Sequence, residues 1–326
     1  ALRWQGLLVC AVEGTSMFVP NTAANIAVFD RQTGRPDAAS GYPMLRLLTI
    51  VACGTRTVID AVFGPYRIGE TTYAPAVLGC LKPDMLLLAD RNFAATSLIE
   101  QVTTTGAQVL IRCKDTRALP PIRRLGDRTW LARMGAVTVR VIDAQITLNL
   151  STGATRTGHY RLITTLTDEN RYPANELVKL YHQRWEIETS YLELKSTILG
   201  GRVLRAGTPA GISQEVYALL ITYQALRTAL ADATLARPDI PADRLSFTVA
   251  LNTARDQVIH AAAAIADTAI DLIGRIGHAA LDQPFPERRA RSSPRVVKRA
   301  ISKHRANGPI DRTNHTTTIT IEILDD

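Results

Sequence analysis

The chain has 326 residues, 46% hydrophobic and 21% charged, with a formal net charge of +8 and a pI near 9.5. That composition is globular and long enough for about two domains. No uncharged apolar run reaches the roughly 18 residues that a membrane-spanning helix needs, so no membrane partner is expected, and the positive balance suits a polyanionic one. A strand-like run follows Ala1 almost at once with no signal-peptide pattern, so the sequence reads as part of a longer cytoplasmic protein that lacks its upstream region. Cys10, Cys53, Cys80 and Cys113 lie far apart beside apolar residues, without a C-x-x-C pair, and read as reduced structural thiols rather than a zinc site.

Residues 7–13, LLVCAVE, predict a buried strand ending in a turn at Gly14-Thr15. This places the Glu13 carboxylate at the strand's mouth, although taken alone it reads as a solvated turn acid. The loop over residues 18–43 is rich in Asn, Gly and Pro, and its Asp30 and Asp37 read as turn residues. Residues 45–53 and 57–63 predict a hairpin joined at Gly54-Thr55, whose Asp60 is the one alternative to Glu13 as a first strand-borne acid. A short helix is expected over 74–81. Residues 85–89, MLLLA, predict a short apolar strand, followed by Asp90-Arg91-Asn92-Phe93 and a helix over 94–104. An acid between a strand's C-terminal end and a helix sits where open α/β sheets place their ligands, but Asp90 would serve equally as a cap.

Another strand is expected over 107–113. Between residues 114 and 159 the pattern changes to period-2 alternation through Val137, Val139 and Val141 and again through Ile146, Leu148 and Leu150, the mark of antiparallel strands with one wet face. Arg112, Lys114, Arg117, Arg123, Arg124, Arg128, Arg133 and Arg140 outnumber the acids there, which suits either a DNA-facing sheet or a solvated face. Residues 160–166 return to a core strand.

Residues 173–201 predict one amphipathic helix, with Asn175 as its N-cap and Gly200-Gly201 as its stop. At 100° per residue, Tyr181, Arg184, Glu188 and Lys195 share an arc of about 60° beside an apolar stripe of Leu180, Ile187, Tyr191 and Leu194. Lys179, Gln183, Glu186, Ser190 and Glu193 fall on the far, polar face. Read by itself, the arc is an ordinary i,i+4 pair, Arg184 with Glu188, and its fringe. Residues 214–235 and 246–281 predict Ala-rich scaffold helices. Beyond Pro284 lies a basic segment including Arg288, Arg289, Arg291 and Arg295, and residues 316–324 predict an edge strand. His304 and His315 have no metal-ligand partners at suitable spacing.

The spacing of Tyr181, Arg184, Glu188 and Lys195 resembles the Y-x2-R-x3-E-x6-K signature of the IS-four family of DDE transposases. Asp90-Arg91-Asn92-Phe93 is similar to that family's D-R-G-F, with Asn for Gly, and Glu13-Gly14-Thr15 to its D-G-T, with Glu for Asp. The resemblance implies an α/β fold with an RNase H-like core, a mixed sheet flanked by helices, over 1–113 and 160–283. It further implies a β-rich insertion over 114–159, between the second and third acids, and leaves a basic tail over 284–326. It implies Glu13, Asp90 and Glu188 as catalytic metal ligands for two Mg²⁺ ions, with Mn²⁺ as a substitute. It implies Tyr181, Arg184 and Lys195 as contacts to transposon-end DNA; Trp185 reads either as a stacking platform for a flipped base or as core.

Paired divalent ions, held by hard carboxylate oxygens, ready water for attack on a phosphodiester and stabilise the leaving oxygen. The implied activity is DNA transposition by hydrolysis and strand transfer on double-stranded transposon ends and target DNA, performed by a homodimer associated with the nucleoid. Glu13 sets a second reading against it. The extra methylene moves the carboxylate by about 1.5 Å, where a catalytic constellation tolerates about 0.5 Å, so a remnant that only binds DNA is the alternative. A third reading, a nuclease of the junction-resolvase kind, accounts for the acids but leaves Tyr181, Arg184 and Lys195 without a role.

Overall fold

The computed structural model describes residues 3–31, 41–262, 272–285 and 316–325. Its centre is the apolar run Met85–Ala89, β5, every residue of which is buried. Around it the chain supplies, in order, β1 (Arg3–Trp4), β2 (Leu7–Phe18), α1 (Ala23–Phe29), β3 (Met44–Ala52), β4 (Val58–Pro65), α2 (Glu70–Tyr73) and α3 (Pro75–Leu78) before β5. It continues with α4 (Thr96–Thr104), β6 (Gln108–Cys113), β7 (Arg123–Arg124), β8 (Trp130–Met134), β9 (Val137–Leu150) and β10 (Thr155–Thr164). The helices α5 (Ala174–Tyr181), α6 (Trp185–Leu192), α7 (Pro209–Ala233), α8 (Phe247–Ala262) and α9 (Leu272–Leu281) follow, and β11 (Thr316–Ile323) comes last. The strands form a single mixed sheet in the order β4-β3-β2-β5-β6-β10-β9-β8-β7, with β1 on β2 and β11 on β9. The β2–β5 and β5–β6 pairs are parallel and the others antiparallel.

Two of the expected elements take a different form. β2 does not stop at Gly14-Thr15: Gly14 through Phe18 continue to pair with β3, from Gly14 opposite Leu48 to Phe18 opposite Met44. Its parallel partner β5 ends first, at the pair Val12–Ala89, so Glu13 is the first residue of β2 beyond the parallel pairing and still meets a mouth in the sheet. Of the helix expected over 74–81 only the short α3 forms, beginning at Pro75, and a second short helix, α2, precedes the expected range. The strands β7 to β10 continue the same sheet, and β11 lies along β9 from Thr316 opposite Leu150 to Ile323 opposite Ala144, where an edge strand was expected.

Strand residues alternate between the two faces of a sheet. Val9 and Ala11 of β2 and Leu86 and Leu88 of β5 face the core under the C-terminal helices; Cys10, Val12, Leu87 and Ala89 face the core under α3 and α4. Glu13 shares the parity of Val9 and Ala11, which aims it at the helical layer that carries Tyr181 to Lys195.

That layer differs from the single amphipathic helix expected. Its first turn is capped by Pro173 rather than Asn175, which lies inside α5. A 3-10 turn at His182–Arg184 tightens the coil and a π turn at Glu193–Ile198 loosens it, with Leu199 N–H donating to the Leu194 carbonyl at 3.1 Å. Overwinding and underwinding offset each other, so Arg184 and Lys195 both still reach β2. Gly200 and Gly201, at φ of 67° and 70°, end the layer in the left-handed region where glycine is unstrained.

The far face of this layer is polar surface only in part: Lys179 is exposed, whereas Glu186, Ser190 and Glu193 are buried and two arginines from distant elements meet the two acids. Arg56, in the turn between β3 and β4, donates through Nε to Glu186 at 2.5 Å and through Nη1 to Glu193 at 3.2 Å. Arg227 of α7 donates through Nε to Glu193 at 3.0 Å and also through Nη2. The Tyr223 hydroxyl donates to the Arg56 carbonyl at 2.9 Å. On the sheet, Arg140 is fully buried against Asp127, Thr129 and the Tyr172 carbonyl, and Arg161 pairs with Asp143, so neither belongs to a free basic face. All four cysteines are free thiols. No described helix is long and apolar enough to cross a membrane. The basic residues of 286–315, with His304 and His315, lie outside the described residues.

Removing one partner from a buried ion network strands the other charge. Glu193→Ala is expected to cost about 3–5 kcal/mol, read as a fall in the urea midpoint, while Glu176→Ala on the exposed start of α5 shifts it little. Equal, small shifts from both variants would remove the network from the forces that place the helical layer.

Candidate active site

Three acids from distant parts of the chain converge at the mouth of the parallel strands. Glu13 projects from β2; Asp90 follows the last residue of β5, with backbone φ and ψ of −81° and 175°; Glu188 lies in α6. Arg184 joins two of them: its Nη1 donates to Glu13 Oε2 at 2.7 Å and its Nη2 to Glu188 Oε1 at 3.2 Å. Asp90 is close enough to act on Glu13, Arg184 and Tyr181. Asp90 Oδ1 accepts from the Asn92 amide at 2.6 Å, so the Asp caps the short turn at Arg91–Phe93 while staying in the cluster. Asp60 lies on β4, two strands away from β2, and takes no part.

The surrounding contacts hold the acids in place. The Tyr191 hydroxyl donates to the Glu13 carbonyl and shares a 2.9 Å hydrogen bond with Thr49 of β3. Tyr181 is buried, and its hydroxyl donates to the Ala89 carbonyl at 3.1 Å, pinning the strand end from which Asp90 leaves. Burial pushes its pKa up to about 12, so it donates as a neutral phenol. Lys195 Nζ donates to Thr15 Oγ1 at 2.9 Å and the Ser16 carbonyl at 3.4 Å. Burial lowers its pKa, and no described carboxylate pairs with it. Trp185 is 48% exposed with the Arg184 guanidinium 5.9 Å from its ring centre, so it is no core residue. An open cleft of about 420 Å³ beside the Asp90 segment is walled by Arg91, Asn92, Lys114 and Arg117.

One further acid, Glu70 at the start of α2, has no place in the sequence reading. Its Oε1 accepts from Arg46 at 2.7 Å and its Oε2 from Asn92 Nδ2 at 3.3 Å. Its side chain lies over Gly14, where an added Cβ would come within 2.5 Å of it. No motif spacing marks Glu70; the one local sign is an acid in the first turn after Gly69.

The electrostatics follow from this crowding. Burial pushes the Glu13 pKa from 4.5 to about 7; the Arg184 guanidinium pulls it down, and the Glu188, Asp90 and Glu70 carboxylates push it up. Four carboxylates, Glu13, Glu70, Asp90 and Glu188, gather around the Arg46 and Arg184 guanidiniums, with Lys195 close by at Thr15 and Ser16, so the site offers several hard oxygen donors. Among the described residues no three of His, Cys, Asp or Glu are grouped to hold an ion as they stand, and the Arg184 guanidinium lies between Glu13 and Glu188. The donors gathered there, carboxylate oxygens, are of the kind that a hard divalent cation takes.

Residues 4–225 match the family described as Transposase DDE domain, so the chain belongs to the DDE transposases. Within them it falls with the insertion-sequence transposases of the IS4 type: it is 26% identical over 305 residues to Transposase InsG for insertion sequence element IS4 of Escherichia coli (strain K12), across 91% of this chain and 69% of that protein. A putative transposase, InsZ, of the same organism is 24% identical over 103 residues, covering 32% of this chain and 34% of the relative. Among solved structures, a cryo-EM structure of a piggyBac transposase synaptic complex with hairpin DNA aligns over 85% of this chain and 52% of its own at 8% identity, with a TM-score of 0.43.

The raised pKa of Glu13 has a consequence for stability. Between pH 4.5 and about 7 the folded chain holds a proton at Glu13 that the unfolded chain has released, so this residue makes stability fall as pH rises through that window. Glu13→Gln removes the contribution, so without divalent ions the variant's stability relative to the parent is expected to rise from about pH 5 to about pH 8. Urea unfolding at the two pH values checks this, and a difference that does not change with pH contradicts it.

Proposed function

We propose that the chain is a DNA transposase that hydrolyses phosphodiester bonds at insertion-sequence ends and transfers the freed strands to target DNA. The observation that carries this reading is the convergence of Glu13, Asp90 and Glu188 on a single guanidinium at a sheet mouth. The order β4-β3-β2-β5-β6, antiparallel and then parallel, supports an RNase H-like core, with residues 114–159 as its insertion and 284–326 as a basic tail. Glu13, Asp90 and Glu188 would hold two Mg²⁺ ions, or Mn²⁺ in their place; bound there, the ions supply an activated water and stabilise the leaving oxygen.

The chain's own groups do the rest. Arg184 offers a planar fork to a phosphate and Lys195, half sunk beside β2 with no described carboxylate paired to it, offers a point charge. Trp185 presents an exposed ring for an unstacked base. Tyr181 holds the Asp90 strand end rather than reaching outward. In the first step a water oxygen bonds to phosphorus and the 3′ oxygen leaves, taking a proton to become a 3′-OH. That hydroxyl then attacks a phosphodiester of the opposite strand, closing a hairpin and releasing the flanking strand as a 3′-OH; a second water opens the hairpin and restores the 3′-OH, which attacks a target phosphodiester and displaces a target 3′-OH. Two ends imply a homodimer on DNA, in the cytoplasm with the nucleoid.

Glu13 in place of Asp favours one rival, a remnant that binds DNA without cutting it. An inverted-repeat duplex from the ends of the encoding element, incubated with Mn²⁺ or Mg²⁺, separates the two. Nicking is expected from the parent and from Glu13→Asp, and its loss from Asp90→Asn with binding retained; nicking by Glu13→Asp alone establishes the remnant, and none from either removes the catalytic reading. In the same preparation Lys195→Ala is expected to lower the slope of log affinity against log salt by about one unit.

A further inference from the structure

Glu70 is tied to both acid-bearing segments. On one side its side chain fills the space over Gly14, the residue after Glu13, which only a residue without a Cβ leaves open. On the other, Oε2 accepts from Asn92 Nδ2, and the amide of that same Asn92 donates to Asp90 Oδ1. Behind Glu70, Arg46 of β3 fixes Oε1; the guanidinium also donates to the Tyr66 carbonyl at 3.2 Å and lies 4.4 Å from the Tyr66 ring centre. The result is a relay, Arg46 to Glu70 to Asn92 to Asp90, that starts on a core strand and ends on a carboxylate. With both its oxygens engaged, Glu70 is suited to orient rather than to react.

We propose that Glu70 is a positioning residue that sets the separation of the Glu13 and Asp90 carboxylates, bracing β2 at Gly14 and the Asp90 turn through Asn92. The Asp90 segment is held locally by the cap that Asp90 makes, by Tyr181 at the Ala89 carbonyl, by Arg117 at the Ala94 carbonyl and by the buried Phe93; the relay through Glu70 is what ties it to β2 at Gly14. Asn92, which stands where the resembling family has Gly, provides the side chain that completes the relay in this chain. Partners that orient metal ligands typically change metal affinity by about 10–100-fold when removed. This role for Glu70 rests on the metal-dependent reading of the site.

The test measures Mn²⁺ affinity by calorimetry, amide hydrogen exchange over residues 90–94 without metal, and thermal stability, for the full chain and for Glu70→Gln, Asn92→Ala and the double variant. Glu70→Gln keeps the volume but leaves one acceptor for two donors. Each single variant is expected to weaken Mn²⁺ binding by about 10-fold or more and to lose protection over 90–94, and the double variant is expected to be no worse than the singles, because both cut one relay. Unchanged affinity with unchanged protection overturns the proposal. So does additive loss in the double variant, or a loss of protection spread through β6 as well, which would make Glu70 a general brace. If the parent chain binds no Mn²⁺, the metal reading falls, and exchange over 90–94 in Glu70→Gln still decides for or against the positioning role.

Discussion

Carboxylates brought together in a partly buried space repel one another, and a fold that gathers Glu13, Asp90, Glu188 and Glu70 needs cations to hold the arrangement. Arg184 is the one at its centre. Its fork is wide enough to touch Glu13 on the sheet and Glu188 on the next turn of its own helical layer, so a single side chain joins the two structural layers. A lysine would satisfy one acid as a point charge; the planar guanidinium satisfies both. Burial nevertheless outweighs this help at Glu13, whose pKa is raised to about 7.

The position of Arg184 depends in turn on contacts on the opposite side of its helical layer. Arg56 and Arg227 bind Glu186 and Glu193 in the buried interior, so the layer is anchored by ion pairs on the face turned away from the site as well as on the face turned toward it. Between these anchors the coil is first overwound and then underwound, and the π turn falls on the segment that carries Lys195. Local departures of this kind from a regular helix often occur at functional positions, where a side chain has to be aimed rather than packed.

Much of this was readable from local pattern. The apolar run of β5, the acid that follows it and the arc shared by Tyr181, Arg184, Glu188 and Lys195 all depend on short-range periodicity, and the structure brings those residues together. What escaped was set by partners far along the chain. Glu186, Ser190 and Glu193 read as a wet face because the two arginines that bury two of them lie more than a hundred residues before and some thirty after. β2 read as ending at Gly14 because a glycine and a threonine look like a turn until β3 supplies the pairing that extends them. Glu70 carries no spacing signal; only the close approach of its side chain to Gly14 and its bond to Asn92 disclose it. Arg140, counted among the basic residues of an outward sheet, is a core residue paired with Asp127.

If Glu13, Asp90 and Glu188 are one site, made to exchange the Arg184 guanidinium for divalent ions when DNA arrives, anomalous scattering from crystals of the chain grown with Mn²⁺ and an end duplex measures it directly. Manganese peaks bounded by the Glu13, Asp90 and Glu188 carboxylates, with Arg184 turned to a phosphate, are the predicted result. Peaks elsewhere, with Arg184 still spanning Glu13 and Glu188 in the presence of bound DNA, would contradict it.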